Sequence, residues 1–282
     1  MKIIECPRDA MQGIEAFIPT ESKVKYINQL LKVGFDTLDF GSFVSPKAIP
    51  QLRDTTTVLK HLDLKGTTTK LLAVVANKRG AEEVGRLEQI RYMGFPLSIS
   101  ETFQKRNTNK SIAEALNTVN EIQAICKSTG QTLVTYIGMA FGNPYRDPYT
   151  VEQVEKFVDI LATLDVKIIS LADTIGVSKP DQISYLLKTL TTRFPELEFG
   201  AHLHSNPLTA VEKIKAAFEA GCQRFDGALK GFGGCPMAED KLVGNLATET
   251  IIDYLDANHA APALNREALR DAMILADSIF PT

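Results

Sequence analysis

No apolar run in this chain approaches the roughly 18 residues needed to cross a bilayer, so the sequence offers no membrane-spanning helix. No G-x-G-x-x-G follows the first predicted strand, which counts against a dinucleotide-binding sheet. The N-terminal Met1-Lys2-Ile3-Ile4-Glu5 lacks the long apolar core of a secretory signal. Cysteine is scarce: Cys6, Cys126, Cys222 and Cys235 form neither a C-x-x-C motif nor disulfide-rich spacing. A reducing, cytoplasmic setting is the expectation. Positive charge is not in excess, since the net charge is -3 and the pI about 5.9. Nothing therefore favours nucleic acid as a partner. What remains is an ordinary globular composition of 282 residues, 44% hydrophobic and 23% charged.

Short apolar runs alternate with helical patterns from end to end. Lys2–Cys6 reads as a strand and Thr20–Val33 as a helix, with Thr20 placed to cap it. The later pairs are Thr37–Phe40 with Ile49–His61, Leu71–Ala76 with Ala81–Met93, and Pro96–Ser100 with Ser111–Thr129. They continue as Thr132–Met139 with Thr150–Leu164, Lys167–Ala172 with Pro180–Arg193, and Glu198–His204 with Leu208–Ala220. Arg224–Ala228, a glycine-rich loop and Asn245–Ala257 complete eight cycles, and Arg266–Ser278 adds a final helix. Alternation of this kind implies parallel pairing, and eight cycles predict an α/β fold: a (β/α)8 TIM barrel, residues 1–282 as one domain, with an extra C-terminal helix. An open doubly wound sheet is the alternative.

In a barrel the active site lies at the C-terminal strand ends. The seventh strand ends in His202-Leu203-His204, two of only four histidines. Side chains at i and i+2 of a strand share a face, so both imidazoles can meet one metal ion. Closure makes strands seven, eight and one neighbours, which lets Asp9, His202, His204 and Asn245 converge. This mixed nitrogen and oxygen set, without a thiolate, suits Mg2+ or Mn2+, and Zn2+ less clearly. Taken alone, Asp9 is also a good turn or cap residue and Asn245 a good helix cap. Arg8 brings a fixed positive charge to the same mouth, either for substrate or in an ion pair with Asp173 or Asp39. Cys235 sits among three glycines and is a candidate for proton transfer. Cys6 is read as lining the barrel, and Cys126 and Cys222 as inert.

The segments Pro7-Arg8-Asp9 with Gln12, Ser42-Phe43-Val44-Ser45-Pro46-Lys47, Ser170-Leu171-Ala172-Asp173-Thr174-Ile175-Gly176, His202-Leu203-His204, Gly233-Gly234-Cys235-Pro236 and Gly244-Asn245-Leu246-Ala247-Thr248-Glu249 span nearly the whole chain. In them the chain resembles the 3-hydroxy-3-methylglutaryl-CoA lyase family of metal-dependent TIM-barrel lyases. The resemblance implies a divalent cation on Asp9, His202, His204 and Asn245. It implies a catalytic set of Arg8, Cys235, Asp39 and Asp173, and substrate binding by Arg8, Gln12, Ser42 and Asn107. The implied reaction is retro-Claisen cleavage of the acyl-CoA to acetyl-CoA and acetoacetate, in a homodimer. Asp39 stands where the family usually has Glu, and Ser205-Asn206-Pro207 where it usually has Asp-Thr. The loop from Cys235 to Asn245 is bulkier and more charged than usual, and Gly13-Ile14-Glu15 lacks a common lysine. These differences lie at the expected substrate mouth and keep open a related lyase or aldolase acting on another 3-hydroxyacyl-CoA or hydroxy acid.

Overall fold

In the computed structural model, the first strand, β1 (Lys2–Glu5), pairs in parallel with both the second and the eighth strands. That double pairing closes the sheet. The others are β2 (Thr37–Ser42), β3 (Lys70–Val74), β4 (Ile90–Ser98), β5 (Thr132–Gly138), β6 (Ile168–Asp173), β7 (Glu198–Leu203) and β8 (Arg224–Gly227). They follow one another around a closed, all-parallel barrel. The structure describes residues 1–234 and 243–280, and no helix among them is long and apolar enough to cross a membrane.

Among the described residues, eleven helices join and flank the strands: α1 (Pro7–Gln12), α2 (Thr20–Leu31), α3 (Thr55–Lys60), α4 (Lys78–Val84), α5 (Glu101–Thr108), α6 (Ile112–Thr129), α7 (Val151–Thr163), α8 (Pro180–Arg193), α9 (Ala210–Glu219), α10 (Thr248–Ala257) and α11 (Arg266–Ile279). The starts of α6 and α7 match expectation because Ser111 with Glu114, and Thr150 with Gln153, form reciprocal capping boxes. α6 buries Ala115, Val119, Ile122 and Cys126 on one stripe, the spacing of a helix with one face on a core. The final helix α11 packs against α2, where Gln29 donates to Ala268 O (3.0 Å) and Tyr26 meets Phe280 edge-on.

Local departures have local causes. The helix expected over Ala81–Met93 stops at Val84, and Ile90 already begins β4. The apolar residues Ile90, Tyr92 and Met93 that suggested helix face the core from a strand. Ile49–His61 divides into a short 3-10 turn at Pro50–Leu52 and α3. Neither α1 nor α5 was visible as a separate helix; Pro7 opens the first and Ser100 caps the second by accepting from Phe103 N. Thr20 is the first helical residue rather than the cap, and its hydroxyl donates to Asp54 (2.7 Å). Cys6 sits just past β1, at the cap of α1.

Alternation along the strands sorts the side chains into two sets. Leu203, Phe225, Leu171 and Ile169 join the large core between barrel and helices. Leu72, Tyr92, Val134, Tyr136 and Ile168 form a small apolar cluster of their own. Arg224 extends past β7, where a Cβ on Gly200 would lie 2.5 Å from its Cγ. Glycine at 200 is what admits that long side chain.

Glu5 fastens the barrel seam. Leu229 N–H donates to its Oε1 (2.9 Å) and the Thr248 hydroxyl to its Oε2, so β1 grips the connection between β8 and α10. Burial pushes this carboxyl up to about 8, against the lowering effect of the two hydrogen bonds. A carboxyl raised in the folded state favours folding fully below its unfolded value and loses that contribution as pH rises to the folded value. The native protein should therefore lose stability between the ordinary value of 4.5 and about 8. Glu5→Gln should remove this loss, so that its melting-temperature advantage over the parent grows from about pH 5 to about pH 8; a constant difference across that range would contradict the assignment.

Candidate active site

Two strand ends and one loop assemble the proposed ligand set. Asp9 lies on α1, directly after β1. His202 is in β7, and His204 follows it at the rim. The segment after β8 folds back along the extension of β7, where His204 and Asn245 form an antiparallel bridge and Leu246 N donates to Leu203 O (3.2 Å). Asn245 is therefore fixed beside His204, and it is not a helix cap, since Ala247 holds that position. Ligand atoms of Asp9, His202 and His204 all lie within 4.8 Å of one another. Gly233 packs against them so closely that a Cβ would lie 2.6 Å from Asn245 Nδ2 and 2.7 Å from Asp9 O.

Each of these side chains is held by a second group. His202 Nδ1 faces Asp226 Oδ2 (3.1 Å) on neighbouring β8, and His204 Nδ1 faces Val243 O (2.8 Å). Acceptors at both Nδ1 atoms place the protons there and leave both Nε2 lone pairs for a cation. Asn245 Nδ2 donates to Asp9 Oδ2 (2.7 Å) and Phe232 O (2.9 Å), which leaves its Oδ1 available to a cation. Gln12 Nε2 and Arg8 Nη1 both donate to Asp9 Oδ1, at 2.6 and 2.8 Å. Arg8 also grips Asp39 through Nε (3.0 Å) and Nη2 (2.5 Å). The donor set fits a divalent cation: one carboxylate, two oriented imidazoles and an amide oxygen.

The charges are tuned by this packing. Burial alone would raise the Asp9 carboxyl, but Arg8, His202, His204 and Asn245 outweigh it and bring its pKa to about 2. Asp9 is thus an anion at any physiological pH. Burial disfavours the charge on Arg8, yet Asp39 and Asp9 hold its pKa above the ordinary range. Burial pushes both imidazoles down; Asp226 and Asp9 reverse this for His202, while His202 reinforces it for His204.

Above these residues opens a cavity of about 150 Å³. Arg8, Asp9, Gln12, His202 and His204 line one part of it, with Asn107 and Thr174 also on the wall. Val44, Ile49, Val74, Pro96 and Phe103 make another part apolar. Tyr136 meets the His202 ring edge-on, with centroids 5.5 Å apart.

The model of the HMGL-like family matches residues 2–275. The chain belongs to the HMGL-like family. A hydroxymethylglutaryl-CoA lyase of Bacillus subtilis is 37% identical over 89% of this chain and 83% of its own length. The (R)-citramalyl-CoA lyase of Chloroflexus aurantiacus is 29% identical over 93% of this chain and 85% of its own. Both relatives are carbon–carbon lyases by name. The crystal structure of a Bacillus subtilis HMG-CoA lyase superposes with a TM-score of 0.90 at 33% identity, covering 100% of this chain and 95% of that one. An HMG-CoA lyase from Acinetobacter baumannii in complex with coenzyme A and 3-methylmalate superposes at 0.91 with 28% identity, covering 99% and 91%.

Within this HMGL-like site some sequence-predicted residues take other positions. Asp173 has the strand parity of Leu171 and points to the helices, while Ala172 lines the cavity. Its oxygens accept from Val177 N (2.9 Å), Ser178 N (3.0 Å) and Lys213 Nζ (2.9 Å). Asp173 is therefore a rim fastener, and the ion pair of Arg8 is with Asp39. Asp39 itself is spent on Arg8 and acts by holding it. Ser42 lines a neighbouring cavity of about 270 Å³, with Arg53 and Arg79, rather than the cavity of Asp9. Cys235 lies outside the described residues. Sequence reasoning missed Asp226 and Lys213. Asp226 had a signal, since a carboxylate inside an apolar strand next to the histidine strand needs a partner.

Lys213 Nζ joins Asp173 Oδ2, Gly176 O (3.0 Å) and His204 O (3.0 Å), tying the β6 and β7 rims together. Lys213→Met strands the buried Asp173 charge and should cost about 3–5 kcal/mol of stability in denaturant titration. A cost below about 1 kcal/mol would show that the pair is not what holds this rim.

Proposed function

We propose that this chain is a divalent-metal-dependent carbon–carbon lyase that cleaves 3-hydroxy-3-methylglutaryl-CoA to acetyl-CoA and acetoacetate. The observation that carries the proposal is the meeting of Asp9, His202, His204 and Asn245 beside a rigid Arg8 at one cavity of a chain 37% identical to a hydroxymethylglutaryl-CoA lyase. Mg2+ or Mn2+ held by those four residues would supply Lewis-acid stabilisation of negative charge on substrate oxygen.

The chain's own groups account for the remaining steps. The C2–C3 bond breaks as the 3-hydroxyl gives its proton to a base, a role assigned to the Cys235 thiolate, and C3 becomes the ketone of acetoacetate. The bonding pair passes to C2 and forms the thioester enolate. Arg8, clamped by Asp39 and Asp9, keeps its fixed charge and one unspent Nη2 N–H for the thioester carbonyl and stabilises that enolate oxygen. Because the clamp is built before substrate arrives, little reorganisation is needed at the moment of reaction. Cys235 is assigned the return of a proton to C2, on the strength of its sequence motif. The apolar walls at Val44, Val74 and Phe103 limit water beside the carbanion. The substrate partner is an acyl-CoA, the setting cytoplasmic and the assembly a homodimer.

The decisive experiment is a thioester panel with Mg2+ or Mn2+, with and without chelator. Acetoacetate should appear from 3-hydroxy-3-methylglutaryl-CoA only with metal. Cleavage of citramalyl-CoA or another hydroxyacyl-CoA instead would overturn the acyl assignment, and no cleavage of any would overturn the lyase. Arg8→Lys should lower kcat about 10²–10³-fold while Mn2+ affinity stays within a few-fold. His204→Ala should lose Mn2+ binding by titration calorimetry. Cys235→Ser should keep it and lose turnover; equal turnover would remove that thiol from the reaction.

A further inference from the structure

A second cluster of ligating atoms lies on the opposite edge of the His202 ring. Cys6, His202 and Asp226 place a sulfur, a ring nitrogen and a carboxylate oxygen within 4.8 Å of one another. All three are buried, at 0%, 8% and 1% exposure. We propose that Cys6, His202 and Asp226 form an inhibitory site for a thiophilic divalent cation such as Zn2+ or Cd2+, mutually exclusive with the Asp9, His202 and His204 site.

Donor chemistry separates the two sites. The Asp9 side offers nitrogen and oxygen only, whereas Cys6 adds the soft sulfur that selects zinc and its heavier relatives. The geometry is close to what such an ion needs. His202 Nδ1 and Asp226 Oδ2 are 3.1 Å apart, near the roughly 3.3 Å edge of a tetrahedron with metal–ligand bonds of about 2.0 Å. Among the described residues, the Cys6 sulfur makes only a weak 3.7 Å contact to Ile4 O, and it already lies within 4.8 Å of the other two ligating atoms. The other Asp226 oxygen lies 3.8 Å from Arg224 Nε, an ion-pair separation with no hydrogen bond.

Exclusivity follows from the imidazole itself, and this part alone rests on the metal reading given above. A neutral imidazole has one nitrogen lone pair. With Asp226 at Nδ1, the proton sits on Nδ1 and the lone pair on Nε2. Capture of the soft ion forms bonds to Sγ, Nδ1 and a carboxylate oxygen. The thiol proton goes to buffer, and the imidazole proton moves from Nδ1 to Nε2. No group is oxidised or reduced. Nε2 then carries hydrogen and no longer serves Asp9 and His204.

The test uses Cd2+ and the Cys235→Ser protein, which lacks the other sulfur that the sequence places at this mouth. Metal-free protein should bind Cd2+ with an ultraviolet sulfur-to-cadmium charge-transfer band. Added to Mn2+-loaded protein, Cd2+ should release Mn2+, read as the free-ion signal in electron paramagnetic resonance. Adding Cys6→Ala, or Cys6→Ser as a second variant, should abolish the band and raise the Cd2+ concentration for Mn2+ release at least tenfold. Absence of the band before Cys6 is changed overturns the site, as does its persistence afterwards. Mn2+ release at unchanged Cd2+ in the Cys6 variants overturns the exclusivity. Failure to bind Mn2+ without any Cd2+ strikes instead at the metal reading, because the band still reports on Cys6.

Discussion

The site depends on one buried ionic interaction, the Arg8 guanidinium wedged between Asp39 and Asp9. Three charged groups at 8%, 0% and 4% exposure would be costly singly. Together they satisfy one another: Arg8 spends Nε and Nη2 on Asp39 and Nη1 on Asp9 and Gln12. The arrangement joins α1 to β2 and sets two functional properties at once. Asp9 is kept ionised for a cation, and Arg8 is held in one orientation facing the cavity. Removal of either acid would disturb both. A cluster of this kind gives up stability in exchange for a fixed geometry, which is what a reacting carbonyl requires.

Much of this was legible in the sequence, for physical reasons that also mark where legibility ended. Eight strand–helix alternations reveal a barrel because burial on both faces makes each parallel strand a short apolar run. His202 and His204 announce themselves by a period of two, and strand closure brings Asp9 and Asn245 to them. The same period could have excluded Asp173 from the cavity, since it shares parity with Leu171 and not with Ala172. The resemblance to a family motif drew attention to the residue type, and the strand's alternation decided its direction. Asp226 and Lys213 were harder, because each acts on a residue far away in the chain. His202 meets Asp226 only through the register of β7 on β8, and Lys213 meets Asp173 only through packing of α9 on the rim.

Short elements were the other limit. α1 and α5 have 6 and 8 residues, too few to display a full helical repeat. Their ends are set by Pro7 and by the Ser100 cap, signals that gain meaning once the strand before them is located. α1 nevertheless carries Arg8, Asp9 and Gln12 on a single turn, so the least periodic helix holds much of the chemistry.

The seam where β1 meets β8 has a wider consequence. Asp9 belongs to the first strand-helix unit and Asn245 follows the last strand, with the histidines between them on β7. A chain still emerging from the ribosome cannot present these ligands together until β8 has closed onto β1. Cation binding would then act as a signature of barrel closure, and by mass action it would favour the closed barrel over any open intermediate. Within this architecture, metal uptake and closure of the barrel would be the same event.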